Sequence, residues 1–126
     1  MTTGADLEGI VLFAHGSRDP LWHRPMLAVA QHITELEPSA IVRCAFLELT
    51  SPDLARCANE LVTLGVKVLT IVPMFLGVGK HAREDLPLLV KDLQSQHPSL
   101  KVRLQPSIGE NQHLIHQLAL IALSRV

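Results

Sequence analysis

Four short β-branched runs, Gly9 to Ala14, Ala40 to Phe46, Lys67 to Pro73 and Lys101 to Gln105, alternate along the chain with helical patterns. That alternation is the signature of βαβ units, whose helical crossovers build a parallel sheet. The runs are mostly apolar on both faces, as strands covered by helices on either side must be. Between and after them the 3.6-residue period recurs in Met26, Val29, Ala30 and Ile33, then in Leu54, Cys57, Ala58 and Leu61. Leu86, Leu89, Val90 and Leu93 continue it, and Leu114, Ile115, Leu118 and Ala122 close the chain. The expected fold class is therefore α/β, a four-stranded parallel sheet flanked by helices on both faces. Ser51-Pro52 reads as an N-cap and first-turn pair, Gly65 as the end of the second helix, and His97-Pro98 as the end of the third. Pro87 falls inside the third pattern, which predicts either a short turn from His81 to Asp85 before the helix or a kink within it.

A chain of 126 residues is expected to fold as one domain, residues 1–126, with residues 1–8 a loose N-terminus. No internal repeat, linker or low-complexity stretch divides it. The longest apolar runs, Ile10 to Ala14 and Val68 to Leu76, fall well short of the ~20 residues a bilayer span needs. The first residues are acidic where a signal peptide is basic, so a soluble cytoplasmic protein is expected. Cys44 and Cys57 form neither a CxxC pair nor a disulfide framework and read as reduced core thiols. With a formal charge of −1, one Trp, three Phe and no Tyr, the chain has neither a basic stripe nor an aromatic platform, which argues against nucleic acid as a partner.

In an open parallel sheet, ligands bind beyond the carboxyl ends of the strands. The first strand ends in Ala14-His15-Gly16-Ser17-Arg18-Asp19, the second runs into Leu47-Glu48, and the third ends in Pro73-Met74-Phe75-Leu76-Gly77-Val78-Gly79-Lys80-His81. Two imidazoles and a carboxylate suit borderline divalent metals, and three ligands leave positions open where a structural site would be closed by four. Each residue also has a plainer reading: His15 hydrogen-bonding in its loop, Glu48 capping the next helix. Gly77-Val78-Gly79-Lys80 is not a Walker A loop, because Met74 stands where Gly is needed and His81 where Ser or Thr is needed. Its glycines read instead as a close backbone approach or a flexible loop that lets His81 reach inward. Met74, Phe75, Leu76 and Val78 offer apolar surface, or are core at the strand's end. His113 and His116 on the last helix read as surface residues, and His23, His32 and His97 as structural or solvated. Glu84 and Asp85 read as acceptors orienting His81 or as first-turn helix acids.

HGSRDP (His15 to Pro20) together with PMFLGVGKHAREDLP (Pro73 to Pro87) resembles the class II chelatases of the CbiX/SirB type, and the likeness runs from Gly9 to the end of the chain. The resemblance implies a chelatase-like module, half of a flavodoxin-like architecture, that inserts a divalent metal into sirohydrochlorin on the way to sirohaem, cobalamin or a nickel tetrapyrrole. It implies His15 and His81 as catalytic and metal-binding residues, with Glu48 as their carboxylate partner. It implies no cofactor beyond the metal substrate, Co²⁺, Fe²⁺ or Ni²⁺. Longer members carry two such modules, so this one is similar to the small form, a homodimer.

Insertion replaces two pyrrole N–H protons by metal–nitrogen bonds, so the protein must hold the metal over the ring and accept protons. Imidazole can do either, and Glu48 can take a proton or orient a histidine. The peripheral carboxylates of the tetrapyrrole want cations and donors, which makes Ser17, Arg18, Lys80 and Arg83 candidate substrate-binding residues. Which histidine ligates the metal and which accepts the proton stays open, as does the metal. A non-catalytic metal or tetrapyrrole carrier on the same rim is the alternative.

Overall fold

The structure, a computed structural model, describes residues 6–125, the side chain of His81 excepted. Strands β1 (Glu8–Ala14), β2 (Ile41–Phe46), β3 (Val68–Pro73) and β4 (Lys101–Leu104) form one parallel sheet in the order β2-β1-β3-β4. Helices α1 (Arg24–Leu36), α2 (Leu54–Thr63), α3 (Lys80–Gln96) and α4 (Gln112–Ala122) follow the four strands in turn. The α/β class, the strand count and the parallel direction agree with the sequence, and each strand is displaced from its expected bounds by a single residue at one end. Leu7 and Glu8, expected in a loose N-terminus, belong elsewhere. Glu8 opens β1, and Leu7 packs against the core while its carbonyl accepts from Lys67 N–H at 3.0 Å. The rest of that segment, residues 1–5, lies outside the described residues.

Alternation along β1 sorts its side chains onto two faces. Val11 and Phe13 join Ala45, Leu69 and Ile71 on one of them, where α2 seats Leu54, Cys57, Ala58 and Leu61 and α3 seats Leu86 and Leu93. Leu12 and Val72 occupy the other, under Met26, Ala30 and Ile33 of α1. The second face is less well covered, because Ile10, Val42, Cys44 and Thr70 are only half-buried and no residue of α4 is buried. Register aligns the strand ends: Phe13 sits level with Ala45 on one side and Pro73 on the other, so the loops after β1, β2 and β3 leave the sheet at one height.

Two helix boundaries differ from the sequence reading or decide it. The N-cap of α2 is Asp53, whose carboxylate accepts from Arg56 N–H at 2.9 Å, and Ser51-Pro52 lies upstream of the helix. An aspartate satisfies an orphan first-turn amide as well as a serine does, and the Pro52 carbonyl is already taken by Phe46 N–H at 2.9 Å. α3 runs unbroken through Pro87, with no separate turn before it, and so leaves the Arg83 carbonyl without its intrahelical donor. Gly65, at φ +98°, ends α2 as expected, and His97 caps α3. Among the described residues no helix is long and apolar enough to cross a membrane.

Both cysteines are free, and Cys57 is buried with its sulfur 3.5 Å from the Cys44 carbonyl. Burial, reinforced by the negative charge of Glu60, pushes the Cys57 thiol up to about 11. A folded-state value above the unfolded one favours the neutral thiol, so this contribution to stability is intact at neutral pH and is lost as pH rises from about 9 towards 11. Urea unfolding across that window should show wild-type protein losing stability more steeply with pH than Cys57→Ala; equal slopes would unlink the thiol from the fold.

Candidate active site

The chain leaves β1 towards β2 and leaves β3 towards β4, in opposite directions across the sheet, and a crevice opens between their carboxyl ends. His15 is the first residue beyond β1 and is exposed. Its ring lies against Phe75, with centroids 4.6 Å apart at 53°, and Phe75 in turn meets Phe13 edge-on at 6.2 Å. Phe75 itself is buried, so it anchors the imidazole rather than offering open surface. Met74 is half-buried and Leu76 is exposed. The two readings of the 74–78 stretch, core or ligand surface, thus divide residue by residue.

Glu48 reaches the same rim through its backbone. Leu47 N–H donates to the Ala14 carbonyl at 2.8 Å and Glu48 N–H to the His15 carbonyl at 3.0 Å, so the β1–β2 ladder continues past both strands into the site loops. The approach requires Gly16, which sits at φ +94° and where a Cβ would collide with the Glu48 carbonyl oxygen. By contrast, a Cβ added at Gly77 or Gly79 would meet nothing within 4 Å among the described residues. Glu48 does not cap α2; that role falls to Asp53.

His81 lies in the first turn of α3, one residue past its start at Lys80. Its side chain is outside the described residues, and so the distance of its ring from His15 and Glu48 is as well. Among the described residues no three His, Cys, Asp or Glu side chains cluster closely enough to hold a metal. Arg18, Lys80 and Arg83 are exposed and pair with no carboxylate among the described residues, whereas Arg43 is tied to Glu60 at 2.8 Å. Ser17 is half-buried and its hydroxyl accepts from Asp19 N–H at 3.1 Å. His113 and His116 are exposed on α4, as expected of surface residues.

A hollow of about 420 Å³ opens beside His15, walled chiefly by apolar groups: Met26 and Val29 of α1, Trp22, Met74 and Leu76. His23 also lines it. The sequence places His23 among the structural or solvated histidines and does not single out Trp22, because their position beside His15 depends on a turn not read from it. Asp19 accepts from Leu21 N–H at 3.0 Å and starts a 3-10 turn over Pro20–His23 that folds the segment back over the end of β1. The signal was present in Asp19-Pro20, an N-cap followed by a first-turn proline.

The family model described as CbiX matches residues 9–120. The sirohydrochlorin cobaltochelatase of Methanococcus aeolicus is 33% identical over 84 residues, 67% of this chain and 59% of the relative. That of Methanocaldococcus jannaschii is 29% identical over 91 residues, 72% of this chain and 64% of the relative. The chain thus matches under two thirds of the length of these curated relatives. A crystal structure of a cobalamin (vitamin B12) biosynthesis CbiX protein from Marinobacter aquaeolei superimposes with TM-score 0.76 at 33% identity, covering 94% of this chain and 99% of that one. The sirohydrochlorin chelatase SirB of Bacillus subtilis subspecies spizizenii, in complex with cobalt, shares the fold with TM-score 0.77 at 21% identity, over 93% of this chain and half of SirB, 50%.

Gly16→Ala should destabilise the protein by more than about 1 kcal/mol, since alanine gains both a forbidden φ and a backbone clash. Chemical denaturation measures it, with Gly77→Ala as the control expected to lie within about 0.5 kcal/mol of wild type. Comparable stabilities would mean that the two site loops do not depend on close contact at Gly16.

Proposed function

Since the chain belongs to the CbiX family, matched over residues 9–120, we propose that it is a sirohydrochlorin chelatase, exchanging the two inner N–H protons of the tetrapyrrole for bonds to a divalent metal. The observation that carries this reading is an exposed imidazole, His15, at the mouth of a largely apolar hollow on the crevice of a parallel sheet. A flat macrocycle needs apolar surface for its face and basic groups for its two departing protons, and this rim supplies both. The metal is a substrate, Co²⁺ or Fe²⁺ with Ni²⁺ as a third candidate, and no other cofactor enters.

In this reading His15 and His81 share the tasks of holding the metal and receiving protons, with Glu48 as their carboxylate partner. Contact with the buried Phe75 ring restricts the His15 imidazole, so less freedom is lost when metal or ring arrives. Arg18, Lys80 and Arg83 have no carboxylate partner among the described residues and are free to meet the acidic periphery of the substrate, as is the remaining hydroxyl proton of Ser17. The work is done in the cytoplasm, in keeping with the two unpaired thiols. The functional unit is a homodimer. Its support is the poorly covered face of the sheet and the exposed Ile115, Leu118 and Ile121 of α4, which a second copy can bury by two-fold association.

Anaerobic incubation with sirohydrochlorin and each metal, followed by absorption, tests the activity. Many turnovers are expected; a single equivalent would make the protein a carrier. His15→Ala and His81→Ala should each reduce insertion severely with the fold intact, and Glu48→Gln should cost about 10²-fold if the carboxylate takes a proton. Wild-type rates in any of these remove that residue from the chemistry. Light scattering at assay concentration should report twice the 13.8 kDa chain mass, and a fully active monomer would defeat the dimer.

A further inference from the structure

The hydroxyl of Thr50 joins three partners from the loop that carries His15. It lies 2.7 Å from the Ser17 carbonyl oxygen, 3.1 Å from Ser17 N and 3.3 Å from His23 Nε2. A threonine hydroxyl has one proton to give and two lone pairs to receive. The Ser17 carbonyl can only accept, so the single proton goes there; Ser17 N–H can only donate, and takes one lone pair. The remaining contact is complete only if His23 donates from Nε2. We propose that Thr50 is a positioning residue that pins the His15 loop to the loop bearing Glu48 and holds His23 as its Nε2–H tautomer, leaving Nδ1 as the nitrogen this second imidazole of the hollow can offer.

Independent contacts support the arrangement. The His23 ring lies against the buried Phe46 at the end of β2, centroids 4.6 Å apart at 49°, so it is held by its face as well as by Nε2. Thr50 is fixed in its own loop by a backbone bond from its N–H to the Glu48 carbonyl at 2.7 Å. The clamp therefore connects Glu48, Ser17 and His23 through one side chain. Ser17 is two residues from His15, and His23 shares the hollow with it. Losing the hydroxyl would strand the N–H and the carbonyl of Ser17 together, and loosen the loop on which His15 stands.

This inference rests on the chelatase reading only for its activity arm. In two-bond ¹H–¹⁵N spectra of the full-length protein at alkaline pH, with His23 signals assigned by their loss in His23→Gln, the ring should carry its proton on Nε2. That proton should exchange with water far more slowly than those of the exposed His113 and His116. Thr50→Ser should preserve the protected proton and near-wild-type insertion. Thr50→Val should lose the protection and slow insertion by roughly 10–100-fold, the range typical of lost supporting contacts. A proton on Nδ1, fast exchange in wild type, or full activity in a folded Thr50→Val would each overturn the proposal. Should Thr50→Val fail to fold, Thr50→Ala replaces it, and the wild-type spectrum still decides. A wild-type protein that inserts no metal refutes the function but leaves the spectral outcome to judge the clamp.

Discussion

The parallel pairing of β1 with β2 and β3 is the constraint on which everything else depends. β1 is apolar on both faces because it is paired along both edges and packed above and below. Its register fixes where three loops begin, and its ladder with β2 does not stop at the last strand residue. The bond from Glu48 N–H to the His15 carbonyl carries sheet geometry into the site, so two candidate chemical groups are set by backbone hydrogen bonding before any side chain is considered. Groups placed by a sheet are held more accurately than groups on a free loop.

Aromatic contacts complete what the ladder begins. His15 leans on Phe75 and His23 on Phe46, both buried, Phe75 two residues beyond β3 and Phe46 at the end of β2. The core thus extends to the base of the site, and the two imidazoles at its rim are supported by residues that cannot move without disturbing packing. The apolar hollow beside them belongs to the other face of the sheet, where Ala14, Met26 and Met74 of the α1-covered layer line it. Support of the rim by buried aromatic rings lowers the reorganisation that binding there requires.

Much of the fold was legible in the sequence because each strand is a β-branched run bounded by helix periodicity, and periodicity is a local property. The parallel direction followed from the alternation of element types. Less legible were the features that depend on one hydrogen bond or one contact at long range. Asp53 displaced Ser51 as the cap of α2, since either residue satisfies the local rule and only the path of the chain selects between them. Pro87 offered a turn or a kinked helix, and packing of Leu86 and Leu93 on the sheet keeps α3 continuous. In the site, the positions of His15 and Glu48 followed from strand ends. Gly16 was not distinguished from the glycines of the 77–79 loop, because the obstruction at Gly16 is the backbone of Glu48, distant in sequence. Thr50 was passed over, and His23 read only as structural or solvated, for the same reason: their significance lies in a contact across 27 residues of chain.

The exposure of α4 has a consequence for how the molecule comes apart. None of its residues is buried, its first turn is held chiefly by Asn111, which accepts from His113 N–H at 2.9 Å and Leu114 N–H at 3.2 Å, and it follows an edge strand of only four residues. Detaching such a helix exposes little new apolar surface, so the free energy of opening it lies far below that of opening β1 and β3. Cooperativity is accordingly uneven along the chain: the sheet opens only with the whole core, whereas α4 can come away while the β1–β3 pairing stays closed.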